Sequence, residues 1–277
     1  MELYDETCFE CSKLITQKYS TSFSQGINAF HKRFRYPIYA IYGFVRYADE
    51  IVDTFHEHDQ HQLLNEFGLQ VFEAIDQKIS LNPVLHSFQL IVNQYQISNA
   101  LVESFLASME MDIGKNAFSY VEYKEYIHGS AEVIGLICLK IFCEGDEALY
   151  NNLSGAACSL GSALQKINFL RDIKADHEER RRVYFPGVDF DNFTDEAKRQ
   201  IEADIQADLD NAHVGIKLLP KDVRLGVYLA YQYYKRLFKK IRHNTANSLM
   251  QKRVRVPDTI KTLLYGRALI NHKLGLI

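Results

Sequence analysis

The 277-residue sequence has no tryptophan, and it lacks the signals of β structure. There is no Asn-Gly or Asp-Gly pair to turn a hairpin and no sustained alternation of apolar and polar residues. A sandwich or barrel is therefore excluded. Proline is scarce: of Pro37, Pro83, Pro186, Pro220 and Pro257, four are expected at or near helix starts, where a missing N–H costs little, and Pro186 closes a non-helical segment. The five cysteines (Cys8, Cys11, Cys138, Cys143, Cys158) include one C-x-x-C without a second pair, so a zinc site is not indicated. An odd cysteine count behind the acidic start MELYDETCFE suggests a reducing, cytoplasmic setting. The net charge of −3 gives no general case for nucleic acid as a partner. The longest apolar run, Val133 to Phe142, is interrupted by Lys140. A spanning helix needs about 20 residues, so no transmembrane segment is expected.

What the chain does have is apolar bulk and helical periodicity. Hydrophobic residues make up 47%, with 17 Tyr and 17 Phe, enough for a large core or an aromatic-walled cavity. Helices are expected near residues 5–19, 37–55, 60–79, 83–95, 99–114, 146–176, 194–216, 220–243 and 257–275, with a further pair over 120–143. Asn99 is the expected cap of the helix it begins. Tyr19 to Ser24 reads as a hydroxyl-rich break and 177–192 as a loop. No linker or repeat divides residues 1–277, so one all-α domain is expected.

Two stripes carry the chemistry. In Gly161 to Asp176, the residues Gln165, Asn168, Asp172 and Asp176 are three, four and four apart. At about 3.6 residues per turn they share one helix face, with Gly161 on it and Leu160, Leu164, Ile167 and Leu170 on the neighbouring face. Two carboxylates and two amides are hard oxygen donors suited to Mg²⁺. In the helix near 37–55, Tyr42, Arg46, Asp49 and Asp53 repeat the pattern, with Glu50 beside Asp49. Facing carboxylate pairs repel one another unless divalent cations lie between them. Mg²⁺ is shared readily with phosphate oxygens, and Arg46 adds a bidentate phosphate donor. Together they imply an apolar diphosphate substrate and metal-assisted loss of diphosphate to leave a carbocation.

At these residues the sequence resembles the squalene/phytoene synthase family of head-to-head prenyl transferases. Tyr42 to Asp53 is similar to the first aspartate-rich motif, Leu160 to Asp176 to the second, and Arg182-Val183-Tyr184-Phe185-Pro186 to its R-x-Y-x-P tail. Ser20-Thr21-Ser22-Phe23 resembles the family's flap and Arg253-Val254-Arg255-Val256 its C-terminal basic motif. The resemblance implies an isoprenoid-synthase-type helical bundle around a central cavity. It implies Mg²⁺ (or Mn²⁺) held by Asp49, Asp53, Asp172 and Asp176, with Asn168 close to a metal and Gln165 supporting that face. Ser20, Ser22, Arg46, Arg171, Arg182, Tyr234 and Arg253 would grip diphosphates, and Tyr126 would sit near the reacting carbons.

The expected reaction joins two geranylgeranyl diphosphates into phytoene through a cyclopropylcarbinyl diphosphate, without NADPH. Squalene or dehydrosqualene formation from two farnesyl diphosphates is the nearest alternative. A class I terpene cyclase and a silent assembly factor stand further off; the four aspartates argue against the latter. Two departures from the family pattern are Thr21, where a basic residue is usual, and Glu132, where glycine is usual. In the run Arg180-Arg181-Arg182 only Arg182 takes the motif position, and Arg180 reads as solvated loop. The cluster Lys235 to Arg242 admits a peripheral contact with anionic lipid as well as a solvated face. The tract His56 to His61 is polar enough for metal but falls in a connector. Met111-Asp112 ends a helix whose Phe105 and Met109 belong to the core or the hydrocarbon tunnel. Oligomeric state is left open.

Overall fold

Serine, asparagine or threonine starts six of the helices by accepting from the orphan N–H groups of the first turn. The computed structural model describes residues 2–115, 117–178, 182–188 and 192–275, and these hold thirteen α-helices and one π-helical turn. The first six are α1 (Leu3–Tyr19), α2 (Thr21–Asn28), α3 (Lys32–Asp53), α4 (Gln60–Gln77), α5 (Pro83–Gln94) and α6 (Asn99–Asp112). α7 (Tyr120–Ile127), a π-turn (His128–Glu132) and α8 (Val133–Cys143) follow, then α9 (Glu147–Glu178). α10 (Asp195–Leu218), α11 (Lys221–Arg242), α12 (Ala246–Gln251) and α13 (Asp258–Lys273) complete the chain. Among the described residues there is no strand, only an isolated parallel bridge between Ala117 and Val183. The all-α expectation holds.

Several local expectations change. The hydroxyl-rich break is one residue wide: Ser20 caps α2, its Oγ accepting from Phe23 N at 3.2 Å. Pro37 lies inside α3 rather than at its start, because α3 begins at Lys32. Ser98, not Asn99, caps α6. The pair expected over 120–143 is a single run, α7 continuing through the π-turn into α8. Its 24 residues are long and apolar enough to cross a bilayer by length and composition, but half of the most apolar stretch is buried inside the bundle. Core packing is the simpler account of that apolarity. Arg180 and Arg181 lie outside the described residues.

Two hydrophobic clusters hold the bundle. In the first, Phe44 of α3 is fully buried and stacks on Phe88 with centroids 4.0 Å apart, with Phe105 at 5.1 Å. Truncating such a ring costs about 4 kcal/mol. The second joins α7, α9, α10 and α11 through Ile127, Ile167, Leu170, Ile205, Leu237 and Ile241. α9 therefore has an apolar face, but Leu160 and Leu164 are only half-buried while Ala163 and Ile173 join the core. A polar seam towards α10 was not expected. Ser162 donates to Asp208 at 2.8 Å, and buried Lys166 pairs with Asp204 and Asp208. Burial works against the Lys166 charge, and its two carboxylate partners outweigh that and raise its pKa.

The π-turn fits against α6 and α9 at main-chain distance. A Cβ on Gly161 would stand 2.4 Å from the Ala131 carbonyl oxygen, and one on Gly129 2.4 Å from that of Ser104. Glycine is required at both for close backbone approach. The unusual Glu132 carboxylate pairs with half-exposed His128 one turn earlier at 2.9 Å.

Candidate active site

α3 carries the first stripe. Arg46 pairs with Glu50 one turn on, comes within 3.8 Å of Asp49, and lies over the Tyr19 ring at 4.3 Å. Tyr42, one turn earlier, accepts a hydrogen bond from Ser20; burial raises its pKa and Arg46 opposes that. The cap of α2 is thus tied to the first motif. Ser22, half-buried on α2, and Gln165, half-buried on α9, hydrogen-bond to no other member of the set among the described residues.

α9 carries the second. Arg171 donates to Asp172 at 3.1 Å, and burial acts against its charge while Asp172 raises its pKa. Arg253, from the segment after α12, meets the same Asp172 at 2.6 Å. Asn168 donates its amide to Tyr234 of α11, whose pKa burial raises. The other half of that amide, Asn168 Oδ1, is buried and has no hydrogen-bond partner among the described residues. A buried carbonyl oxygen left unspent is costly, and here it lies one turn from Asp172.

The stripes meet through Arg182. Its Nη1 stands 3.4 Å from Asp53 Oδ1 on α3, and its main-chain N donates to the Asp176 carbonyl on α9 at 2.8 Å. Its Nη2 donates to the Asp112 carbonyl at the end of α6 at 2.8 Å. Tyr126 donates to Asp112 Oδ2 at 2.7 Å, and Tyr184 approaches Oδ1 at 3.4 Å. Phe169 stacks on Tyr184 with centroids 3.9 Å apart, and Phe118 flanks Tyr126.

Burial pushes the Asp112 carboxyl up to about 6, against the pull of Arg182 and the Tyr126 hydrogen bond. Burial and the Asp112 charge hold the Tyr126 phenol well above its ordinary value, so it is a neutral donor. Burial opposes the Arg182 charge too, and Asp112, Tyr184 and Asp53 more than compensate, so its pKa rises.

Asp112 and Tyr184 belong to this network and were not among the expected site residues. Phe105, Met109 and Asp112 are four and three apart, so Asp112 shares the core face of α6, and a carboxylate there needs buried partners. The tract His56 to His61 does not join the site: His61 pairs with Glu110 on the surface. Among the described residues no three His, Cys, Asp or Glu side chains form a group that would hold a metal by itself.

Comparisons agree with this geometry. The family model for squalene/phytoene synthase matches residues 16–259. The chain is 27% identical over 271 residues to phytoene synthase of Arthrospira platensis, covering 85% of this chain and 84% of that one. It is 26% identical to 15-cis-phytoene synthase of a Synechocystis species, over 94% of this chain and 83% of the relative. In fold it is similar to a dehydrosqualene synthase crystallised with a ligand (TM-score 0.84, 20% identity, 97% and 98% of the chains). It is also similar to squalene synthase from Alicyclobacillus acidocaldarius (TM-score 0.77, 18% identity, 88% and 96%). The bundle is of the isoprenoid-synthase type. With the two aspartate stripes joined through Arg182, and a family match that spans them both, the chain belongs to the squalene/phytoene synthase family.

Proposed function

We propose that this protein condenses two geranylgeranyl diphosphates head to head into phytoene. The observation that carries the diphosphate chemistry is the surroundings of Asp172: two arginines on one carboxylate, with the unpartnered Asn168 Oδ1 one turn away. The choice of tail is supported by the curated relatives, which are phytoene synthases.

Asp49, Asp53, Asp172, Asp176 and Asn168 fit a hard divalent cation such as Mg²⁺ or Mn²⁺. All offer oxygen, and one of those oxygens is buried without a partner. Their spread over two helices suits ions that complete their coordination with substrate phosphates. Bound there, such an ion would supply charge neutralisation for a departing diphosphate. Arg46, Arg171 and Arg253 supply cationic donors to the phosphate oxygens. Ser20, already tied to Tyr42, keeps the flap end of α2 beside Arg46.

Deeper in, Arg182 fixes the distance between Asp53 and the end of α9. Tyr126, neutral and oriented by Asp112, presents an aromatic ring at the aspartate end, where a developing carbocation gains from its π face. The final proton goes to departing diphosphate or to Tyr126 acting with Asp112.

The test is incubation with Mg²⁺ and labelled geranylgeranyl or farnesyl diphosphate, each with and without NADPH. Phytoene from the longer substrate without NADPH is the expected product. Consumption of farnesyl diphosphate alone overturns the tail assignment and leaves the head-to-head chemistry. A cyclic product from a single diphosphate overturns both.

A further inference from the structure

The last fifth of the chain is charged unlike the rest. Residues 223–277 contain 12 of the 32 Lys and Arg but only one of the 35 Asp and Glu, Asp258. A surface cavity also lies here, away from the aspartates. It is an open groove of about 690 Å³ between α11 and α13. Lys235, Lys239 and Arg242 of α11, four and three apart, line one side, and Arg267 of α13 the other. Phe238 and Leu263 contribute apolar wall. Lys235 and Arg242 rest on the rings of Tyr231 and Phe238. Among the described residues none of the four cations makes an ion pair. Cations gathered without acid create a positive field that an anionic partner relieves.

A second observation concerns α13. Leu263, Ile270 and Leu274 are 69%, 59% and 66% exposed, and their spacing of seven and four places them on one outward stripe with Arg267. An apolar stripe bordered by basic side chains is the pattern of a helix lying in a membrane interface. Nucleic acid would satisfy the cations and leave these three side chains in water. On α11, by contrast, Tyr234 is buried and bonded to Asn168. The helix thus has one edge in the catalytic site and the other in the groove.

We propose that α13 and the C-terminal half of α11 dock the protein on an anionic phospholipid bilayer. Leu263, Ile270 and Leu274 enter the boundary between headgroups and acyl chains. Lys235, Lys239, Arg242 and Arg267 meet lipid phosphates.

The test is co-sedimentation of the full chain with phosphatidylcholine vesicles, with and without phosphatidylglycerol. Binding is expected only with phosphatidylglycerol, and high salt should weaken it. K239E/R242E should reduce the partition coefficient at least about tenfold. L263S/I270S should reduce it as well. Both variants should keep wild-type turnover of dissolved substrate, since none of these residues touches the aspartate site. If charge reversal unfolds the protein, as read by circular dichroism, K239Q/R242Q takes its place, with a loss of at least about threefold expected. Equal binding to both vesicle types, no binding, or variants that partition like wild type each overturn the proposal. So does self-association in sedimentation velocity that K239E/R242E abolishes while vesicle binding is absent, an outcome that assigns the face to a second copy of the chain.

Discussion

Arg182 and Arg253 each hold a motif aspartate, one in the interior and one at the rim. Arg182 is 9% exposed and reaches Asp53 while bonding Asp112 and the end of α9. Arg253 is 49% exposed and meets Asp172 beside a second arginine. The interior pair is bound into a network of three helices, so removing one partner strands another charge out of water. The rim pair is solvated and held at one end by a non-helical segment, so an incoming phosphate can take the arginine with little loss. The same ion pair thus fixes geometry in one place and offers a ligand-exchange point in the other. Interior substitutions should act on stability, and rim substitutions on turnover.

The largest expected effect is at the rim. Asp172→Asn should lower turnover by a factor on the order of 10³ with an unchanged circular dichroism spectrum. Near-normal activity would remove the metal assignment. Arg182→Met should cost about 3 kcal/mol in urea unfolding, because Asp53 and Asp112 lose their shared cation. A cost below about 1 kcal/mol would erase the contrast between the two arginines.

Asp112→Asn sharpens the interior half. The folded pKa, about 6, lies above the ordinary 3.8, so the folded state holds the proton more tightly. The stability this contributes is complete below the ordinary value and is lost as pH rises through about 6. The melting temperature of the variant relative to wild type should therefore rise between pH 4 and about 6. A flat difference would mean that Asp112 stays ionised throughout. Arg253→Gln should have the smallest effect on stability, under about 0.5 kcal/mol, while raising the KM for diphosphate substrate. A melting shift as large as that of Arg182→Met would show the rim to be structural.

The sequence made the rim legible and the interior largely not. Spacing alone places Asp49 and Asp53, or Asp172 and Asp176, on one helix face, because helical periodicity is a local property. Arg182 was visible through its short motif. Its partner Asp112 lies 70 residues away, and only packing joins α6 to the segment after α9. The same limit hid α2. Its eight residues follow α1 with a single residue between, too short a stretch for periodicity to show against the Ser/Thr composition. Pro37 misled in the opposite direction, because proline marks a helix start by preference and α3 begins five residues earlier. The π-turn has no sequence signature at all. Its cause is the fit of one backbone against two others.

That fit limits how the protein can change. α6, the π-turn and α9 touch through main-chain atoms at Ser104, Gly129, Ala131 and Gly161, and the one side chain that also meets Gly129 is the small Ser108. The spacing of those helices is therefore out of reach of ordinary substitution. Selection or engineering for a different hydrocarbon must work elsewhere, through side chains rather than through this contact. A mutational scan for altered product length should come back empty at Gly129 and Gly161.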